Sequence, residues 1–278
     1  MRFGISTHLY HDQRLDRDHL LQVAGYGFDA IELFATRTHF DYHDPTAVAS
    51  LAQWLSDAGL RLNSVHAPIT DSLVSGKWGT AYSNASSDNA QRQLAVREAE
   101  AALQIARQIP FGVLVVHLGT PAGMNRPGDN NRAAAARSAE EICRLAEPLG
   151  VRVAFEVIPN DLSTPSALVA MLERDMDVRH AGICLDFGHA HLAGDVVDAV
   201  ESVAEHVFAT HVHDNGGRED QHLVPYMGSI NWNTVLLSML KIGFEGTYLM
   251  ELANTGTPAA VLEEARRARQ RFERTLSA

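Results

Sequence analysis

The chain has 278 residues, of which 46% are hydrophobic and 21% are charged, and its formal net charge is -11. This composition is typical of a globular protein, and the acidic balance disfavours nucleic acid and acidic membranes as partners. No run approaches the ~20 apolar residues of a membrane span, and no signal-peptide core follows MRFGISTHLY. The two cysteines, Cys143 and Cys184, predict no disulfide framework. We therefore expect a soluble cytoplasmic protein.

Apolar runs rich in β-branched residues alternate with segments of helical period, and eight of each are predicted. The predicted strands are Arg2–Thr7, Ala30–Ala35, Arg61–His66, Val113–His117, Arg152–Val157, Gly182–Asp186, Phe208–Val212 and Thr247–Leu252. The predicted helices are Arg17–Tyr26, Pro45–Ala58, Asp88–Arg107, Asn131–Leu149, Pro165–Arg174, Val196–Glu205, Trp232–Ile242 and Pro258–Leu276. Asp44 should cap the second helix, and the long polar loop Ala67–Ser87 should be a lid or a binding loop.

Alternating strands and helices predict a parallel sheet with helical crossovers, and eight such units predict closure into a barrel. The first strand–helix turn, STHLYHDQ, lacks a glycine-rich dinucleotide fingerprint, which disfavours an open Rossmann sheet. No linker divides the chain. The sequence therefore predicts an α/β fold, a single (β/α)8 TIM barrel over residues 1–278.

Six consecutive predicted strands end in a carboxylate or an imidazole. In chain order, these residues are His66, His117, Glu156, Asp186, His211 and Glu251, and His189 lies three residues after Asp186. Catalytic groups of such barrels lie at the C-terminal ends of the strands, so these side chains should converge. A buried carboxylate needs a partner, and several around one mouth are most simply explained by a bound divalent metal such as zinc or manganese.

Other chemistries are disfavoured. The two lysines, Lys77 and Lys241, lie outside the predicted strands, which disfavours a Schiff-base aldolase. The chain has neither a GxSxG nucleophile elbow nor a GxxxxGKS/T phosphate loop.

The most specific motifs are GICLDFGHAHLAGD, HVHDNGGREDQH followed by PYMGSINW, and the MEL of the eighth strand. Through them, and over nearly its whole length, the chain resembles the xylose isomerase-like TIM barrels. That superfamily includes sugar isomerases and epimerases and the endonuclease IV-type AP endonucleases. The resemblance implies one divalent ion held by Glu156, Asp186, His211 and Glu251. It also implies that the two glutamates exchange protons with the substrate and that His189 helps to hold it.

The endonuclease branch binds three zinc ions, and the resemblance supplies a counterpart for each ligand. His66 and His117 with Glu156 would form a second metal site, and a third would comprise His189, Asp220 and His222. Ile69-Thr70 stands where the endonucleases carry a Tyr-Leu wedge, and HVHDNG stands where they usually carry HLNDSK. With the acidic net charge, these departures favour the sugar branch.

We therefore expect a divalent-metal-dependent isomerase or epimerase of a sugar or sugar phosphate. It would act through a metal-stabilised enediolate, with Glu156 and Glu251 as acid and base and one to three zinc or manganese ions. Arg218 and His8 are further substrate-binding candidates. A zinc-dependent AP endonuclease and a non-catalytic metal or sugar binder remain open alternatives. Nucleic acid is the less favoured partner, and a homo-oligomer is compatible with the resemblance.

Overall fold

The computed structural model describes residues 2–277, so both ends of the predicted range 1–278 lie outside the described residues. The barrel strands are β1 (Arg2–Ser6), β2 (Ala30–Phe34), β3 (Arg61–His66), β4 (Val113–Val116), β5 (Arg152–Glu156), β6 (Ala181–Asp186), β7 (Val207–Val212) and β8 (Thr247–Met250). Each strand pairs in parallel with its neighbours in the chain, and β8 closes the barrel against β1. The predicted (β/α)8 barrel is confirmed.

Nine α-helices lie within residues 2–277. They are α1 (Arg17–Gly25), α2 (Pro45–Ala58), α3 (Asn89–Leu103), α4 (Arg132–Ala146), α5 (Pro165–Arg174), α6 (Phe187–Ala193), α7 (Val196–Ser202), α8 (Trp232–Lys241) and α9 (Pro258–Ser277). Asp44 caps α2 as predicted, because its side chain accepts a hydrogen bond from the Thr46 amide at 2.8 Å. None of the nine helices is both long and apolar enough to cross a membrane. The cytoplasmic location and the homo-oligomer stay predictions.

Helix α6 was not predicted from the sequence. This helix has only seven residues, too few to show an apolar repeat, and Gly194 follows it directly. Its N-cap is Asp186, the last residue of β6, whose Oδ1 accepts a hydrogen bond from the His189 amide at 2.7 Å. The short helix therefore holds His189 close to the end of β6.

Alternation along the strands separates two apolar layers. Leu114, Phe155 and Leu185 belong to the large core that includes buried residues of the helices, whereas the small cluster of Val113, Val115, Ala154 and Cys184 is separate from it. Side chains two positions apart in a strand share a face, so Glu156 follows Ala154 and Asp186 follows Cys184 on the same side. The strand pattern thus directs both carboxylates into the barrel.

The loop between β3 and α3, predicted as a long polar lid or binding loop, contains a small hairpin. Leu73–Val74 pairs antiparallel with Lys77–Trp78. The connecting residues Ser75 and Gly76 have φ of 53° and 72°, values typical of a tight hairpin turn. The hairpin places Trp78 at the mouth of the barrel.

Candidate active site

The C-terminal ends of the strands open into a cleft with about 910 Å³ of empty space, part of it continuous with solvent. Its lining includes His66, His117, Glu156, His189, Asp220, His222 and Glu251. We call these residues, together with the buried Asp186 and His211 beneath them, the floor of the cleft. The structure therefore brings all nine predicted metal ligands to one place.

Glu156 lies at the centre of the floor. Its Oε2 is 3.0 Å from Nε2 of both His66 and His117, and its Oε1 is 3.0 Å from Nδ1 of His211. Burial alone would raise the pKa of this carboxyl, but His211 and His117 outweigh burial and hold the pKa well below its usual range. Glu156 is consequently a buried carboxylate shared by three imidazoles.

Asp186 and His189 form a second part of the floor. Oδ2 of Asp186 lies 3.0 Å from Nε2 of His213, while Oδ1 caps α6. His189 donates from Nδ1 to the Val157 carbonyl at 3.0 Å, which turns its Nε2 toward Oδ2 of Asp220, also at 3.0 Å. His189 thus connects the end of β6 with the loop that follows β7.

Asp220 also faces His222, whose Nε2 lies 3.2 Å from the same Oδ2. The His222 ring stacks on His213 at 3.9 Å between centroids and donates from Nδ1 to the Glu251 carbonyl at 3.0 Å. Burial disfavours the charged form of His222, but Asp220 outweighs it and raises the pKa to about 9. The pKa of His189 rises to about 10, because Asp186 and Asp220 outweigh burial in the same way.

Glu32 is a functional candidate that sequence reasoning missed. It lies within β2, is fully buried, and its Oε2 accepts a hydrogen bond from Nε2 of His211 at 3.2 Å. The Ser64 hydroxyl donates to its Oε2 at 2.9 Å. The signal for Glu32 in the sequence was a carboxylate inside the apolar run AIELF. The prediction rested on residues at strand ends, and Glu32 lies in the middle of its strand. Glu32 fixes which nitrogen of His211 points toward Glu156 and Glu251.

Four histidines of the floor share a hydrogen-bond pattern that bears on whether they suit a metal. Three histidines, His66, His189 and His222, each donate from Nδ1 to a backbone carbonyl, and His211 donates from Nε2 to Oε2 of Glu32. The remaining nitrogen of each ring faces a carboxylate oxygen at 3.0–3.2 Å. A neutral imidazole presents a lone pair there, so each close approach requires either a second proton or a cation between nitrogen and oxygen.

The donor atoms fall into overlapping groups in which all ligand atoms lie within 4.8 Å of one another. The groups are His66, His117 and Glu156; Glu156, Asp186, His211 and Glu251; His66, His211 and Glu251; and His189, His213, Asp220 and His222. Mixed imidazole and carboxylate donors suit zinc, manganese and related divalent ions. The floor therefore fits a divalent metal, and its geometry offers more than one centre.

The remaining predicted substrate contacts differ in position. His8 lines the cleft, and its Nδ1 donates to the Leu252 carbonyl at 3.2 Å. Arg218 is exposed and does not line the cleft. Asp214, which was not predicted as a substrate contact, is buried and organises the loop after β7, because its Oδ2 accepts hydrogen bonds from the Trp232 indole and the Tyr226 amide. The substrate roles of His8 and Arg218 stay predictions.

Residues 20–272 match the family described as xylose isomerase-like TIM barrel. The chain belongs to this family. The resemblance drawn from the sequence motifs is therefore confirmed. An uncharacterised protein of Methanocaldococcus jannaschii is 28% identical to the chain over 266 residues, covering 91% of this chain and 84% of the relative.

Several solved structures are also similar to the chain. A D-tagatose 3-epimerase-like protein is 26% identical, with a TM-score of 0.80 over 100% of this chain and 98% of that protein. The D-psicose 3-epimerase of Clostridium cellulolyticum H10, solved with D-tagatose, is 19% identical, with a TM-score of 0.78 over 99% of both chains. The IolI protein, solved with a zinc atom, is 16% identical, with a TM-score of 0.76 over 100% of this chain and 98% of that protein. At the two lower identities, the likeness shows a shared fold alone.

Proposed function

We propose that the chain is a divalent-metal-dependent isomerase or epimerase of a sugar or sugar phosphate, with Glu156 and Glu251 as its proton-transfer groups. The observation that carries this proposal is the buried group of Glu156, Asp186, His211 and Glu251, whose ligand atoms lie within 4.8 Å of one another. Both glutamates also line the cleft. The family and the similarity to a D-tagatose 3-epimerase-like protein support a sugar substrate.

The residues of the floor would have different roles in such a reaction. A divalent ion held by the four ligands would supply Lewis acidity, which favours removal of a proton from the carbon beside a sugar carbonyl. One glutamate takes that proton, and the other returns a proton to the opposite face in epimerisation or to the neighbouring carbon in isomerisation. His189 lines the same cleft, which supports a role in binding a sugar hydroxyl.

Deuterium exchange tests this proposal directly. The metal-loaded protein should incorporate deuterium from D₂O into carbon-bound positions of at least one member of a panel of ketoses, aldoses and their phosphates, as followed by NMR. Glu251→Gln should abolish the exchange. Glu219→Gln, the same substitution at an exposed position outside the cleft, should leave it unchanged. Absence of exchange across the panel, or full exchange in Glu251→Gln, would argue against the proposal.

A second candidate is hydrolysis of a phosphodiester at an abasic site in DNA. The groups around His66 and His117 and around His189, Asp220 and His222 favour it, because together with the central group they could hold three ions. The acidic net charge of -11 opposes it, because duplex binding relies on neutralisation of phosphates by lysine and arginine.

Two measurements separate the candidates. Metal analysis of the purified protein should give about one tightly bound ion per chain for sugar chemistry and about three for the phosphodiesterase. Incubation with an oligonucleotide that contains an abasic site should leave the strand intact. Metal-dependent nicking, lost in Glu156→Ala, would favour the phosphodiesterase instead.

A further inference from the structure

His8 differs from the histidines of the floor in what its second ring nitrogen faces. It lies two residues after the end of β1, lines the cleft and is only 9% exposed. Its Nδ1 is 3.2 Å from the Leu252 carbonyl oxygen, and the ring donates there because a carbonyl can only accept. Among residues 2–277, its Nε2 has no hydrogen-bond partner and no carboxylate oxygen within 4.0 Å. The second nitrogen of this buried ring is therefore left without a protein partner.

The neighbouring His222 shows the contrast. Its Nδ1 donates to the carbonyl of Glu251, the residue before Leu252, so two consecutive carbonyls after β8 orient the two rings. Nε2 of His222 then faces the Asp220 carboxylate at 3.2 Å, and His222 belongs to one of the four possible metal-ligand groups, whereas His8 belongs to none. Nε2 of His8 thus requires no cation, and an uncharged donor such as a hydroxyl satisfies it.

Three rings hold His8 in place. The His11 ring stacks on it at 4.3 Å between centroids, the edge of Phe34 lies at 5.0 Å, and His222 lies at 5.0 Å on a tilted ring. None of these neighbours carries a negative charge that would offset a charged imidazole, so the neutral ring is favoured and Nε2 presents a lone pair. A ligand that donates to this lone pair meets an acceptor that is already ordered.

The cleft is small and has few cationic donors. Within residues 2–277, its lining contains neither lysine nor arginine. A phosphate group remote from the metal would therefore lack the donors that usually bind it. The volume of the cleft that a ligand can fill is about 190 Å³, below the roughly 300–1,000 Å³ of pockets for drug-sized ligands. These features suit a single monosaccharide without a phosphate.

We propose that Nε2 of His8 binds the terminal hydroxyl of an unphosphorylated hexose, at the end of the sugar remote from the metal. This inference rests on the proposed function, in which the metal holds the carbonyl end of the sugar. A polar atom that lines the same cleft outside the metal-ligand groups is then left for the other end. His8 becomes a specificity-determining residue, because a hydroxyl donates to its lone pair, whereas a phosphate dianion has no proton to donate.

Binding measurements test this contact. The probes are D-fructose, D-tagatose, D-glucose and D-galactose, each with its 6-deoxy and 6-phosphate derivatives, titrated calorimetrically into the metal-loaded protein. At least one hexose should bind about tenfold more weakly to His8→Phe than to the wild type, near the upper end for one hydrogen bond, because phenylalanine keeps a ring but has no Nε2. Its 6-deoxy derivative should bind both proteins about equally. The solution forms of each sugar cancel, since both proteins meet the same mixture.

The 6-phosphate and three controls assign the effect to Nε2. The wild type should bind the 6-phosphate no more tightly than the hexose. His8→Gln, which restores a polar group near Nε2, should lose less affinity than His8→Phe, and His8→Phe should keep its full metal content. His191→Phe should bind like the wild type, because His191 lies outside the cleft and its Nε2 is 2.8 Å from the Ser229 hydroxyl.

Four results would overturn the inference. They are a His8→Phe variant that loses affinity for no hexose of the panel, an equal loss for the 6-deoxy derivative, tighter binding of the 6-phosphate than of the hexose, and the same effect in His191→Phe.

Deuterium exchange separates this inference from the proposed function. Hexose binding that depends on His8 and on the terminal hydroxyl, in a metal-loaded protein that exchanges no deuterium into any sugar, would support the contact and argue against isomerase chemistry. Deuterium exchange into a hexose whose affinity is unchanged in His8→Phe would support the proposed function and overturn the contact.

Discussion

Buried histidines on two sides of the barrel mouth look alike in sequence but differ in what faces them. In the floor, His66 donates from Nδ1 to the Ala67 carbonyl, and its Nε2 meets the Glu156 carboxylate at 3.0 Å. In the loop after β2, His39 donates from Nδ1 to the Gln13 carbonyl, and its Nε2 accepts a hydrogen bond from the Thr7 hydroxyl at 3.1 Å. The first ring needs a cation or a proton at Nε2, whereas the second is complete as a neutral imidazole.

The pKa values follow this difference. Burial opposes the charge on His66, but Glu156 outweighs burial and raises the pKa to about 9. Burial lowers the pKa of His39 to about 4, because only the Gln13 carbonyl opposes it. Burial of a histidine therefore does not by itself predict a metal ligand; in the floor, that prediction rests on a carboxylate opposite the second ring nitrogen.

Glu156→Ala is the strongest test of this contrast. It removes the carboxylate that faces His66, His117 and His211, so metal affinity in the groups that share Glu156 should fall more than about 100-fold, beyond the usual effect of losing an outer-sphere partner. Metal content after dialysis against a weak chelator, measured by mass spectrometry, checks this. Glu219→Ala serves as the exposed control. Full metal content in Glu156→Ala would show that the site assignment is wrong.

Glu32→Gln should have a smaller effect of the same kind. Glutamine can still accept a hydrogen bond from His211, but it lacks the negative charge that makes the ring a better donor to metal. Metal affinity should fall by about 10-fold, at the lower end for such partners. A competition titration with a metal-binding dye measures the change. An unchanged metal affinity would show that Glu32 does not contribute to metal binding through His211.

The sequence predicted the barrel and the floor because both depend on patterns that repeat along the chain. Alternation along the strands and the positions of the strand ends predicted Glu156 and Asp186 as site residues from the sequence alone. The contact between Glu32 and His211 was not predictable in this way, because 179 residues separate them and only closure of the barrel brings them together. The position of Trp78 at the mouth of the barrel was missed for a related reason, because it depends on the hairpin turn of its loop.

Arg218 shows how weakly closeness along the chain predicts a position in the cleft. It lies between His213 and Asp220, so sequence proximity favoured a place in the cleft. The structure turns it to solvent, since the loop there is anchored by its polar neighbours: the Gly217 amide donates to the Asn215 side chain at 2.8 Å. A position close to predicted ligands in the sequence is therefore a weaker predictor of a place in the cleft than a position at the end of a buried strand.

His39→Gln tests the neutral side of the comparison, with the smallest expected effect. The pKa of His39 is about 4 in the folded chain and 6.5 in the unfolded chain, so the unfolded chain takes up the proton first as the pH falls. Stability from the neutral ring is complete above pH 6.5 and is lost as the pH falls toward 4. Between pH 7 and pH 5.5 the wild type should lose about 1 kcal/mol more unfolding free energy than His39→Gln, as measured by urea denaturation with a chelator present. Equal losses in the two proteins would mean that His39 is not held neutral, and the contrast with His66 would then rest on geometry alone.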